Sequence, residues 1–220
     1  MDGGYTSPVE GESPGRELVV LVHGMGRTRL SMVLLAGSLR RAGYDVLNFG
    51  YPSLTMTVAG SGARLADRLE DALRVSPAGQ VHFVGHSLGN IVIRWVLAHR
   101  PPQRTGRVVM LAPPNQGSDL ADRVVRWLAW LMKPLPELTT GEGSTARALP
   151  PPRGIEVGVV AARRDNRVTV SRTHLEEQTD HVIVPGGHMF VMTRPDVSRL
   201  TIRFLRTGRF ARGPRSSSGE

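Results

Sequence analysis

Residues 85–89 read Gly85-His86-Ser87-Leu88-Gly89, a G-x-S-x-G spacing. Two glycines bracketing a serine suit a turn so tight that a Cβ at either end would meet neighbouring backbone. In a chain with 25 glycines the bare pattern says little. Its setting says more. An apolar run, Val81 to Val84, leads straight into it, and an apolar helical stretch leaves it from Asn90. Strand, turn and helix in that order hold Ser87 at the carboxyl end of a strand, exposed and close to a helix N-terminus. A serine hydroxyl is a poor nucleophile until a base takes its proton, so the pattern needs partners from elsewhere in the chain. The plain alternative is an N-cap serine in a glycine turn.

A second glycine turn, His23-Gly24-Met25-Gly26, follows another apolar run. It can aim the Met25 amide at an acyl oxygen, with the Leu88 amide as the other donor. Two such donors stabilise the charge of a tetrahedral intermediate, and losing one costs about 3–4 kcal/mol. A phosphate cradle would use a similar turn. The G-x-G-x-x-G spacing is missing, however, and the sole lysine is far away at Lys133.

The elements that must position these turns are legible as short apolar runs alternating with helical periodicity. Runs of strand length fall at 18–22, 46–49, 81–84, 108–111, 157–161 and 181–184. Their lack of polar alternation suits strands covered on both faces, as in a parallel sheet. Helical spacing falls at 28–42, 61–75, 87–99 and 195–206, the third stopping at Pro101-Pro102 and the fourth opening on Pro195. Strict alternation predicts an α/β fold: a mainly parallel sheet of about six strands with helices on both faces. Residues 1–17 and 208–220 are expected to be flexible tails, the second basic, around a domain at 18–207. The excursion at 118–149 breaks the alternation. It holds an amphipathic stretch at 118–132, with Leu120, Val124, Trp127, Leu128 and Leu131 in a stripe, and then a Pro/Gly/Thr-rich loop. Long excursions of this kind are commonly lids or binding loops. Trp127 and Trp130 are therefore the candidates for the wall of a substrate pocket.

Composition narrows the chemistry. Of 220 residues 40% are hydrophobic and 21% charged, enough for a full core. There is no cysteine, so a cysteine nucleophile, a disulfide scaffold and an iron–sulfur site are excluded. The seven histidines include no H-x-x-x-H pair on a helix with a glutamate nearby, and no metal is expected. Twenty-seven of the 28 basic residues are arginine, and the net charge is +9. Such a charge raises nucleic acid or anionic lipid as partners. Only 5% aromatic content, with no basic run interleaved with it, argues against a nucleic-acid stacking platform. No signal-like segment and no 18-residue apolar stretch is visible, so a cytoplasmic protein without membrane insertion is expected.

Residues 19–26 (VVLVHGMG), 84–89 (VGHSLG) and 110–118 (MLAPPNQGS) together resemble the α/β-hydrolase superfamily. They are most similar to its small bacterial lipase/esterase-like branch, over residues 18–207. The resemblance implies serine hydrolysis of acyl esters without a cofactor, the acid following the nucleophile and the base coming last. His188 then fits the base. It lies in the loop Pro185-Gly186-Gly187-His188, between the last strand and the last helix, while the other six histidines sit in turns, strands or helix ends. Asp165 fits the acid, in a turn after the fifth strand. Asp180 is its rival, but it stands at the start of a strand, the wrong edge of a parallel sheet. Ser87, Asp165 and His188 are thus the catalytic candidates, with Met25 and Leu88 as the oxyanion hole. The expected partner is a small acyl ester. Weak contact with anionic lipid is a further expectation, from the arginines at 163, 164, 167 and 172 near the expected mouth. An acyltransferase on the same three residues, and a non-catalytic binding relative, are the alternatives.

Overall fold

A computed structural model describes residues 16–211. The tails expected at 1–17 and 208–220 lie largely outside them. Where they are described, the second expectation needs correcting. Gly208 ends the last helix in a left-handed conformation, and Phe210 is buried, its ring 4.8 Å from that of Phe204. The chain is held through Phe210, whose amide donates to the Asp180 carboxylate at 2.8 Å.

Six strands form one parallel sheet in the order β2-β1-β3-β4-β5-β6. They are β1 Leu18–Val22, β2 Asp45–Phe49, β3 Val81–His86, β4 Thr105–Leu111, β5 Val157–Ala162 and β6 Asp180–Val184. Every neighbouring pair is parallel. Along β1 the side chains alternate between two cores. Leu18, Val20 and Val22 meet helices α2 (Val58–Val75) and α3 (Leu88–His99). Val19 and Leu21 meet α1 (Val33–Arg41) and α6 (Pro195–Thr207) on the opposite face. Burial on both sides is why the strands read as unbroken apolar runs.

The strand order reverses at β1. The chain goes out to β2, returns across β1 and continues with β3. The crevice at the carboxyl ends of β1 and β3 is therefore the topological switch point, where parallel sheets bind ligands. Both glycine turns open into it.

Beyond β4 the excursion contains α4 (Asp119–Leu128) and the short α5 (Thr145–Ala148). Ser118 caps α4, its hydroxyl accepting from the Ala121 amide at 3.3 Å. The helix ends at Leu128, a turn earlier than the amphipathic pattern implied. The whole segment is tied down. The Ser118 hydroxyl donates to the Arg167 carbonyl at 2.7 Å, and the Lys133 amide donates to the Leu54 carbonyl at 2.9 Å. Glu137 caps the start of α2, its Oε2 accepting from the Val58 amide at 2.8 Å, and burial raises its carboxyl pKa. Arg94, buried in α3, donates to the carbonyls of Ala146 (2.7 Å) and Leu149. Burial without a carboxylate partner lowers its guanidinium to about 10. Each such bond adds on the order of 1 kcal/mol net and ties the segment to the body of the domain.

Candidate active site

The elbow begins with β3, which delivers Ser87 at φ 52° and ψ −123°. A serine in that region is strained by about 1–3 kcal/mol and stays there only because its surroundings hold it. The two glycines make the strain bearable. A Cβ on Gly85 would run into Asn90, and one on Gly89 into the Val22 carbonyl. Asn90 then ties the turn together, its side-chain amide donating to the carbonyls of Ser87 (3.0 Å) and Leu111 (3.2 Å).

Ser87 Oγ lies 2.8 Å from His188 Nε2, and His188 Nδ1 lies 2.7 Å from Asp165 Oδ2. The three residues come from three different strand ends, 101 and 23 positions apart along the chain. The carboxylate fixes the imidazole: Nδ1 carries the proton and donates to Asp165, leaving Nε2 to accept from the serine hydroxyl. The other Asp165 oxygen accepts from the amides of Arg167 (2.8 Å) and Val168 (2.9 Å). Its orientation is therefore set by the turn itself. Asp180, the rival, is at the far edge of the sheet, engaged by the amides of His181 and Phe210.

The turn after β1 faces Ser87 across the crevice. Tyr51 Oη donates to the His23 carbonyl at 2.8 Å while its ring stacks on His23 at 4.5 Å. The Gly26 amide donates to Ser53 Oγ at 3.1 Å. Leu88 is the first residue of α3, where an amide has no carbonyl one turn behind it. Met25 lines the same cavity as Ser87, and Leu88 follows Ser87 directly in the chain, so both residues expected to form an oxyanion hole lie near the serine.

Four contributors were not legible beforehand. Tyr51 and Ser53 follow β2 at the same sheet edge as the two turns; that address was their only signal. Arg27 donates to the Met189 carbonyl at 2.9 Å, joining the first turn to the loop of His188. His86, inside the second glycine turn, also holds His188: its Nε2 donates to the His188 carbonyl at 3.0 Å.

Burial lowers the pKa of His86 well below the ordinary imidazole value, with the nearby His188 adding to the effect, and burial also lowers His23, His82 and His181. The unfolded chain takes up protons near pH 6.5 that the folded chain refuses. The unfolded state thus binds more protons, so stability is full above about pH 6.5 and declines as the pH falls below it. The urea midpoint should be lower at about pH 5.5 than at about pH 7.5, and His86→Gln should narrow the gap. A midpoint unchanged or higher at the lower pH would contradict this.

Beside Ser87 lies a cavity of about 300 Å³. Met25, Leu120, Val124, Leu128, Leu135 and Leu138 supply its apolar wall. α4 therefore does wall the cavity, as expected. The tryptophans do not. Trp127 and Trp130 are 75% and 81% exposed and are absent from the lining. Trp127 lies on nearly the same side of α4 as Leu120, but seven residues and so about 10 Å further along the helix. Trp130 falls beyond the end of the helix. A wider polar depression of about 910 Å³, lined in part by Asp119, Arg123, Arg147 and Arg172, reaches Asp165 but neither Ser87 nor His188. Among the described residues no cluster of three metal-ligating side chains occurs.

Comparison with known proteins fits this geometry. The family described as "Putative serine esterase (DUF676)" matches residues 12–115, just under half of the chain and including both glycine turns. The mature lipase of Bacillus licheniformis superposes with a TM-score of 0.71 at 20% identity, over 92% of this chain and 96% of that one. A monoacylglycerol lipase of Paleococcus ferrophilus gives 0.64 at 17%, over 89% and 96%. An esterase of Pyrococcus furiosus gives 0.62 at 17%, over 87% and 83%. The chain is thus similar to this esterase family over residues 12–115, and it shares its fold with these lipases and esterases.

Proposed function

We propose that this chain hydrolyses carboxylic esters through an acyl-enzyme on Ser87. The observation that carries the reading is the relay from Ser87 Oγ to His188 Nε2 at 2.8 Å and from His188 Nδ1 to Asp165 at 2.7 Å. As Oγ attacks the ester carbonyl, its proton passes to Nε2, and the carboxylate stabilises the imidazolium. The carbonyl oxygen, now negative, accepts from the amides of Met25 and Leu88. When the tetrahedral species collapses, Nε2–H protonates the departing alkoxide oxygen and the alcohol leaves. Water then gives a proton to Nε2 and attacks the acyl carbon. Collapse of this second intermediate releases the carboxylic acid and returns the proton to Ser87.

The family match and the lipase and esterase folds support ester substrates. The cavity volume is at the low end for ligand sites, which favours short and medium acyl chains. The purified protein should release p-nitrophenol from acetate through octanoate esters. Val124→Phe should fill the cavity and lower kcat/KM for the octanoate on the order of tenfold, with acetate nearly unchanged. Trp127→Ala should leave the octanoate-to-acetate ratio where it was. No turnover at any chain length would contradict the ester reading. Equal loss on both esters would contradict the assignment of the cavity.

A further inference from the structure

Trp127 and Trp130, which the cavity does not use, are large aromatic side chains standing in water. Leu131, half exposed, extends the patch. The bond from the Lys133 amide to the Leu54 carbonyl brings exposed Leu54 alongside, and the Leu54 side chain reaches over Gly26 of the first glycine turn. Past that turn the Arg27 guanidinium lies 5.7 Å from the ring of Phe190, which is 66% exposed. Phe190 adjoins Met189, a cavity-lining residue. Exposed apolar side chains thus rim the crevice on both sides of the oxyanion turn.

Cations flank the larger side of this rim. Arg123, Arg126 and Lys133 are exposed on and just after α4. Among the described residues none of them is within ion-pair distance of a carboxylate. A symmetric dimer through this face would set those three charges against their own copies, in a chain already at +9. An anionic lipid surface complements both features. Tryptophan rings settle at the headgroup level, and arginine and lysine side chains pair with anionic headgroups around them.

We propose that this face docks the protein on an anionic lipid surface, with Trp127 and Trp130 seated among the headgroups and the crevice turned toward the bilayer. Docking of this kind does not require Ser87. Only the use of a lipid ester would rest on the hydrolase reading.

The test titrates vesicles of pure phosphatidylglycerol, and separately of pure phosphatidylcholine, into the Ser87→Ala protein. Binding is read by co-sedimentation and by tryptophan emission. Phosphatidylglycerol should bind at least about tenfold more tightly, with a blue shift in emission, and about 0.5 M salt should weaken it. Adding Trp127→Ala with Trp130→Ala should cost about tenfold or more in affinity. Adding Arg123→Gln, Arg126→Gln and Lys133→Gln instead should remove most of the preference for phosphatidylglycerol. In the protein that retains Ser87, neither set should alter hydrolysis of p-nitrophenyl acetate, which shows that both variants fold. Absence of binding to phosphatidylglycerol would overturn the proposal. So would equal binding by the tryptophan variant, or a concentration-dependent dimer that buries the two tryptophans. Docking without any ester hydrolysis would support the docking and count against the hydrolase reading alone.

Discussion

Asp165→Asn should leave the protein folded and reduce kcat for p-nitrophenyl acetate by about four orders of magnitude. The reason lies in the two sides of this carboxylate. One oxygen accepts from the amides of Arg167 and Val168, and the other accepts from His188 Nδ1 at 2.7 Å. An asparagine keeps the first role with its own carbonyl oxygen. It then turns an NH2 group toward His188, which must accept at Nδ1 and carry its proton on Nε2 instead. In that tautomer Nε2 no longer accepts the Ser87 proton, although every atom stays close to its place. Asp180→Asn is the matched control. That carboxylate accepts from the amides of His181 and Phe210 at the opposite edge of the sheet. Its loss should cost on the order of 1 kcal/mol of stability and change kcat less than about twofold. Steady-state kinetics on the two variants, with urea midpoints alongside, check this. Near-normal turnover by Asp165→Asn, or a collapse of turnover in Asp180→Asn alone, would remove Asp165 from the relay.

The parts of this fold that repeat a period were the easiest to read from sequence. β1 and the six-strand count followed from apolar runs, because strands covered on both faces cannot hide their composition. The polar starts of strands were harder: β2 and β6 each open on an aspartate, and β4 begins at Thr105, three residues before its apolar stretch. Two glycines obscured the first turn of α2, which is capped by the Thr57 side chain accepting from the Gly60 amide. Short elements such as α5 have too few residues to show a period.

The site was legible in proportion to how local its cause is. Ser87 announced itself because its strain requires Gly85 and Gly89 within two positions. His188 and Asp165 have no such local cause; their place after successive strands, together with the family resemblance, pointed to them. Tyr51, His86, Arg27 and Arg94 act through carbonyls 28 to 162 positions away, and no spacing in the sequence records those partners. The tryptophan expectation failed for a geometric reason. Trp127 belongs to the apolar stripe as a sequence pattern, yet it lies two turns beyond Leu120 along α4, and the cavity is walled there by Val124 and Leu128 instead.

The assignment of Ser87 as the nucleophile is open to a direct chemical measurement. An alkyl fluorophosphonate reacts with a serine only where a base draws off the proton and an oxyanion hole receives the phosphoryl oxygen. Intact-mass and peptide analysis of the treated protein should show one phosphonyl group, on Ser87. Labelling should rise in step with the loss of p-nitrophenyl acetate hydrolysis in the same tube. Ser87→Ala should take up no label, and its kcat should be down by about four to six orders of magnitude. A protein left unmodified while it still turns over ester, a label on a different serine, or a Ser87→Ala variant that hydrolyses at close to the normal rate would contradict the assignment.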